Sequence, residues 1–165
     1  MIFVTVGTHE QQFDRLIQAM DGLKEQGLIG EEVIMQTGFS DYEPRFCSWQ
    51  KLFPYDRMKE NIERASIVVT HGGPASFLMP LQSGKIPIVV PRQKRYGEHV
   101  NDHQLEFCRL VEERMGNIIV VEDIGRLSDV IAKYEEYCRE RNGEMSSHNR
   151  AFNERLEEMV REWGV

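Results

Sequence analysis

The segment Thr70-His71-Gly72-Gly73-Pro74-Ala75-Ser76 carries the clearest chemical signal in the chain. It follows a β-branched run, Ile67-Val68-Val69, and opens a helix-like stretch that ends at Gly84. Gly72 and Gly73 let the main chain approach a ligand closely and permit positive φ. Pro74 suits the first turn of a helix, where its missing N–H costs little. The helix start then offers unpaired N–H groups to an anion such as a diphosphate, and Ser76 adds a hydroxyl. The same turn also serves as a tight strand-to-helix connection with no ligand. No Walker lysine follows it and no Gly-x-Gly-x-x-Gly spacing is present, so an ATP or NAD site of the usual type is not expected.

A second polar cluster is Glu98-His99-Val100-Asn101-Asp102-His103-Gln104. Its donors and acceptors suit a polyhydroxylated ligand. Equally, Asn101 or Asp102 caps a helix while its neighbours are merely solvated. His99 and His103 stand four apart, a spacing open to a metal, but no third ligand is evident and no metal site is expected. His9, beside Glu10, either faces the same edge or is an ordinary loop histidine.

Alternating strands and helices must position these groups. Ile2 to Val6 is a continuous apolar run, as in a strand covered on both faces, and Gly7-Thr8 ends it. Phe13, Leu16, Ile17, Met20 and Leu23 form the apolar face of a helix ending near Gly27. Glu32 to Gln36 reads as a strand with Thr37-Gly38 after it. Phe39 to Lys51 reads as a loop or short hairpin, Leu52-Phe53 as a candidate strand, and Asp56 to Ala65 as a helix with Met58 and Ile62 inward. A strand over Ile86–Val90 stops at Pro91-Arg92. A helix over Val100–Met115 points Leu105, Cys108, Leu110 and Val111 inward. Asn117–Val121 is a strand and Ile124–Arg139 a helix. The C-terminal helical segment begins at about residue 146 and is periodic from Ala151 to Trp163. Its stripe of Phe152, Leu156, Met159, Val160 and Trp163 either packs on the sheet or docks a partner. The alternation predicts one α/β domain over residues 1–165, with a doubly wound, mostly parallel sheet. In such sheets ligands bind where the strands end.

The 165 residues suffice for one core, and 41% are hydrophobic. A net charge of -7 argues against nucleic acid as a partner. Arg92, Lys94 and Arg95 nonetheless make a local basic patch near the suspected edge. No run is apolar enough to span a bilayer. The three cysteines, Cys47, Cys108 and Cys138, show no metal spacing and read as inert thiols of a reduced, cytoplasmic protein.

Taken together, Val4-Thr5-Val6-Gly7-Thr8 with Phe13-Asp14, the Thr70–Pro74 turn, Gly84-Lys85-Ile86-Pro87-Ile88-Val89-Val90-Pro91-Arg92 and Glu98–Gln104 resemble the C-terminal, donor-binding half of family-28 glycosyltransferases. The likeness covers about Met1 to Gly116 and is greatest to the small subunits of capsule and exopolysaccharide synthesis. These are similar to the eukaryotic catalytic subunit that adds the second N-acetylglucosamine to dolichol-linked chitobiose. The resemblance implies a Rossmann-like half of a GT-B fold with a nucleotide-sugar site. Gly7, Thr8, Gly72, Gly73, Pro74, Ala75 and Ser76 would face the diphosphate, their two bends converging on one hollow. Pro54 and Tyr55 would hold the uracil, Asn101, His103 and Gln104 the sugar, and His71 would line the cleft. Larger relatives carry a ribose-binding glutamate six residues past the second glycine. Here that place holds Met79, which cannot accept those bonds.

The resemblance further implies a hexose transfer from a UDP-sugar, galactose slightly favoured, to a lipid-linked saccharide. A membrane-anchored partner would hold the acceptor and recruit this chain to the inner membrane face. No cofactor beyond the UDP-sugar substrate is implied. Helix N–H groups, Ser76 and Arg92 would stabilise the leaving diphosphate. The general base would come from the partner, with His9 the candidate in this chain. The alternative is a non-catalytic enhancer that stabilises a membrane-associated glycosyltransferase.

Overall fold

A computed structural model describes residues 1–141 and 149–163, the side chains of 149–153 and 163 excepted. Six strands make one sheet: β1 (Ile2–Thr5), β2 (Val33–Gln36), β3 (Ser48–Gln50), β4 (Ile67–His71), β5 (Ile88–Val90) and β6 (Ile119–Val120). All neighbours pair in parallel in the order β3-β2-β1-β4-β5-β6. The helices are α1 (Asp14–Glu25), α2 (Tyr55–Arg64), α3 (Pro74–Gln82), α4 (His103–Met115), α5 (Leu127–Ala132), α6 (Tyr134–Arg141) and α7 (Asn149–Trp163). This is the expected doubly wound α/β fold.

Strand side chains alternate between faces, so each apolar run feeds two cores. Ile2, Val4, Val6, Val69, Ile88 and Val90 pack with α1 residues Leu16, Ile17 and Met20 and α5 residues Leu127 and Val130. Phe3 and Val68 face the other way, against Ile62 of α2. Val89 joins Phe77 and Leu81 of α3, Phe107 and Val111 of α4, and Leu156 and Met159 of α7. Cover on both faces is why β1, β4 and β5 lack polar alternation.

The strand order reverses between β1 and β4, which pair as Thr5 with Thr70. The loops beyond that pair lead to α1 and α3, which pack in different cores, and such a switch point is the usual ligand position of this architecture.

Several elements differ from expectation. The third strand is Ser48–Gln50, not Leu52-Phe53. It is a three-residue edge strand in which Trp49 alone is partly covered, so it carries almost no apolar pattern. β4 runs on through Thr70 and His71. α4 starts only at His103, because residues 98–102 are spent tying loops together. Phe107 rather than Leu105 is its central core residue. The stretch 124–139 breaks at Lys133 into a 3-10 turn and two short helices. In α7, Leu156 and Met159 are core and Val160 packs against it, while the side chains of Phe152 and Trp163 lie outside the described set. The described members of the stripe therefore pack inward.

Phe77 is fully buried and stacks on Phe107 with ring centroids 6.2 Å apart. Replacing it with alanine opens a cavity that its neighbours only partly fill. Phe77→Ala should cost about 3–5 kcal/mol in urea unfolding.

Candidate functional site

Arg92 organises the carboxyl edge of the sheet. It follows β5 and has no exposed surface. A buried guanidinium must satisfy its N–H groups inside the protein. Nη2 donates to the Val6 carbonyl at 2.8 Å. Nη1 donates to the carbonyls of Gln11 at 2.9 Å, Gln12 at 3.1 Å and Glu98 at 3.2 Å. The guanidinium also lies 4.9 Å from the Phe13 ring centroid. One side chain thus joins the loop after β1 to the loop before α4. Burial holds its pKa down at about 10, against the pull of Glu98.

The balancing carboxylate is Glu98, also fully buried. Arg15 of α1 grips it with two bonds, Nε to Oε2 at 2.9 Å and Nη2 to Oε1 at 3.0 Å. Glu98 also accepts the Gln93 N–H at 3.1 Å. The expectation that Arg92 contacts the ligand's diphosphate is overturned, since its Nη atoms are spent on main-chain carbonyls. Glu98 is likewise a strut rather than a ligand contact. Arg15, the third member, carries no local sequence signal, because it lies 83 residues from Glu98.

His71 closes β4, and its ring stands between the two glycine bends. A Cβ placed on Gly7 would lie 2.2 Å from His71 Nε2, and one on Gly73 2.3 Å from its Cε1. Gly7 also has φ of 75°, a conformation that disfavours any side chain. The bends do converge, but the imidazole fills the space between them. The hollow expected between the glycines is a histidine seat, with His71 only 7% exposed. Two amides expected to face a ligand are used internally. Gly7 N–H donates to Thr5 Oγ1 at 3.1 Å, and Gly73 N–H to His71 Nδ1 at 3.1 Å.

Because Nδ1 accepts, the neutral ring carries its proton on Nε2. Nε2 lies 2.7 Å from Ser76 Oγ, so Ser76 accepts there and its own hydroxyl proton can turn outward. Burial first, and then the charge of Arg92, pushes the His71 pKa down to about 3. The ring is therefore neutral at ordinary pH. At the start of α3, Pro74 has no N–H and Ser76 N–H bonds the Gly73 carbonyl at 3.0 Å. That leaves the Ala75 N–H, beside the Ser76 hydroxyl, for an incoming anion.

The remaining predicted residues divide. Thr8 is exposed and His9 half-buried at the same edge. Gln104 is 6% exposed, and its Oε1 accepts the Arg92 N–H at 3.2 Å. Asn101 Oδ1 accepts the His103 N–H at 3.0 Å just before α4, and its side chain also hydrogen-bonds His99. His103 is exposed. Pro54 precedes α2, and Tyr55, its first residue, is 69% exposed. Buried Gln36 ties that segment to the Gly7 turn. Its Oε1 accepts Phe53 N–H at 2.8 Å, and its Nε2 donates to Thr5 Oγ1 at 3.1 Å. Met79 lines an open groove of about 470 Å³ with Tyr55, Lys59, Glu63, Gln82 and Ser83. Glu63 is the carboxylate in that groove. Burial pushes up the thiol pKa values of Cys47, to about 12, and of Cys108, so neither serves as a nucleophile.

A family model described as the glycosyltransferase family 28 C-terminal domain matches residues 1–161. The UDP-N-acetylglucosamine transferase subunit ALG13 of Homo sapiens is 35% identical over 117 residues, covering 66% of this chain and 10% of that protein. Its Mus musculus counterpart is 30% identical over 116 residues, covering 65% and 9%. The chain thus spans about a tenth of the length of these curated relatives. Among solved structures, the glycosyltransferase SnogD from Streptomyces nogalater superposes with a TM-score of 0.52 at 20% identity, over 88% of this chain and 39% of that one. The glycotransferase of kitacinnamycin gives 0.53 at 18% identity, over 98% and 38%. These two likenesses concern the fold.

Two measurements test the scaffold of this edge. Glu98→Gln leaves buried Arg92 and part-buried Arg15 without their counter-charge and should cost about 3–5 kcal/mol in urea unfolding. For His71, the unfolded chain takes up a proton below the ordinary value of 6.5, while the folded chain does not until about pH 3. Stability from this group is therefore lost on acidification, by about 2 kcal/mol between pH 7 and pH 5. The pH slope of His71→Asn should be shallower than that of the wild type by that amount.

Proposed function

The chain belongs to the glycosyltransferase family 28 C-terminal domain family, and on that premise we propose that it binds the UDP-sugar donor of a two-component hexosyltransferase. The observation that carries the reading is the pair of donors at the start of α3, the Ala75 N–H and the Ser76 hydroxyl, held at the β1/β4 switch point beside the His71 ring that is seated between the Gly7 and Gly73 bends. An anion lodged there faces preorganised donors on a rigid sheet edge. Tyr55 and its neighbours, held to the same edge by Gln36, take the uracil. Asn101, His103 and Gln104 take the sugar.

In the reaction, the acceptor hydroxyl oxygen attacks the anomeric carbon. The bond from that carbon to the diphosphate oxygen breaks, and UDP departs with the electron pair. Ser76 and the Ala75 N–H stabilise the charge that grows on the leaving group. The acceptor's proton goes to a base on the partner. His9 is poorly suited to take it, since its Nδ1 already accepts Gln11 N–H at 3.2 Å and the neutral ring is protonated at Nε2.

A partner holding a lipid-linked acceptor, as in capsule or exopolysaccharide synthesis, completes the site. Support comes from an apolar rim on loops that follow the strands: Phe39 at 53% exposure, Leu52 at 50%, Tyr55 at 69%, Tyr96 at 42% and Val100 at 68%. Such a rim is costly unless covered. The curated relatives are likewise named as a transferase subunit. Among the described residues no helix is long and apolar enough to cross a membrane. The second reading, a non-catalytic enhancer, is favoured by Met79 in the place of the ribose-binding acid.

Calorimetry with UDP-galactose, UDP-N-acetylglucosamine and UDP-glucuronic acid tests the proposal and identifies the hexose. Micromolar binding of at least one, weakened about tenfold or more in Ser76→Ala, is expected. No binding of any would overturn the donor role. Transfer to a lipid-linked acceptor by the complex, retained in a Ser76→Ala/Gly73→Asp double variant, would establish the enhancer reading instead.

A further inference from the structure

Three histidines in three separate loops use the same local device. His9 after β1, His71 at the end of β4 and His99 after β5 each accept, at Nδ1, the main-chain N–H two residues ahead. The donors are Gln11 at 3.2 Å, Gly73 at 3.1 Å and Asn101 at 3.4 Å. Each neutral ring therefore carries its proton at Nε2. His71 spends that donor on Ser76. His9 and His99, 90 residues apart in sequence, stand face to face with ring centroids 4.9 Å apart and planes tilted 31°. Both are half-buried, and no hydrogen bond occupies His9 Nε2 among the described residues.

Arg92 acts on both rings; His99 also feels His9 and His103 of α4, and His71 senses both members of the pair. Glu10, on the loop of His9, is the opposing carboxylate, and the Asn101 side chain hydrogen-bonds the His99 ring. Burial comes first in holding both rings below their ordinary pKa; Arg92 follows for His9, and His9 then Arg92 for His99. The pair thus sets two stacked rings, with the Nε2–H of His9 unspent, at the same sheet edge as the Ala75 N–H and the Ser76 hydroxyl.

We propose that His9 and His99 form a two-ring clamp for the donor diphosphate, their Nε2–H groups closing on phosphate oxygens from the side opposite Ala75 and Ser76. This rests on the donor-binding reading and adds to it a named contact and a proton linkage. A bound diphosphate supplies the negative charge that favours imidazolium. Binding therefore takes up protons, and affinity rises as pH falls from 8 to 6.

The test is calorimetry of the full chain with the same three UDP-sugars, diphosphate diesters of constant charge over this range. Titrations at pH 7 in two buffers of different ionisation heat count the protons taken up. The wild type should absorb a substantial fraction of a proton and bind several-fold tighter at pH 6 than at pH 8. His9→Gln and His99→Gln keep a neutral donor. They should bind nearly as well at pH 8 yet lose the gain at pH 6, while the alanine variants lose affinity at both. Uridine, which lacks phosphate, should respond to neither pH nor substitution. Binding of a UDP-sugar with no proton uptake and no pH dependence would overturn the clamp and leave the donor site standing. Equal losses for uridine and UDP-sugar would overturn it too, by placing the pair away from the phosphates. Silence of the wild type towards all three sugars would overturn the clamp together with the reading beneath it.

Discussion

A guanidinium with no access to water governs the carboxyl edge of this sheet. Arg92 has to find acceptors within the fold, and it finds them on main-chain carbonyls from the loop after β1 and the loop before α4. Its charge requires a counter-charge, so Glu98 is drawn inside, and Arg15 follows to saturate Glu98. Helix α1 is thereby fastened to the far side of the switch point. The arrangement stores a desolvation cost and returns geometric definition, since none of the loops can shift without leaving a buried charge unpaired.

The same cation sets the electrostatic character of the site from below. Burial first, and then neighbouring charge that includes this cation, keep His71, His9 and His99 inclined to neutrality. Glycine at positions 7 and 73 belongs to this design for a steric reason. The imidazole of His71 lies where any Cβ on those residues would be. The glycines seat the ring that meets Ser76.

Much of the architecture was legible in the chain because parallel strands covered on both faces show as unbroken β-branched runs. β1, β4 and β5 stood out for that reason, and so did α1 by its spacing. β3 did not, since an exposed edge strand buries only Trp49 and leaves no pattern. The carboxyl-edge position of the site was legible as well, because glycine and proline mark where strands turn into helices. The roles of individual residues within it were less so. Arg92 and Glu98 look like ligand contacts in a polar stretch, and nothing local distinguishes a solvated charge from a buried one.

The amino-acid order alone determined the fold class and the switch-point turns, which follow from short-range periodicity and local turn chemistry, and its motifs carried the resemblance to the family. Tertiary structure alone decided which polar groups point outward and which brace the interior. Those assignments depend on groups 80 or more residues apart meeting in space, as Arg15 meets Glu98, Arg92 meets Gln11 and His9 meets His99. Charge burial and hydrogen-bond satisfaction are settled by such encounters and leave no imprint on neighbouring positions.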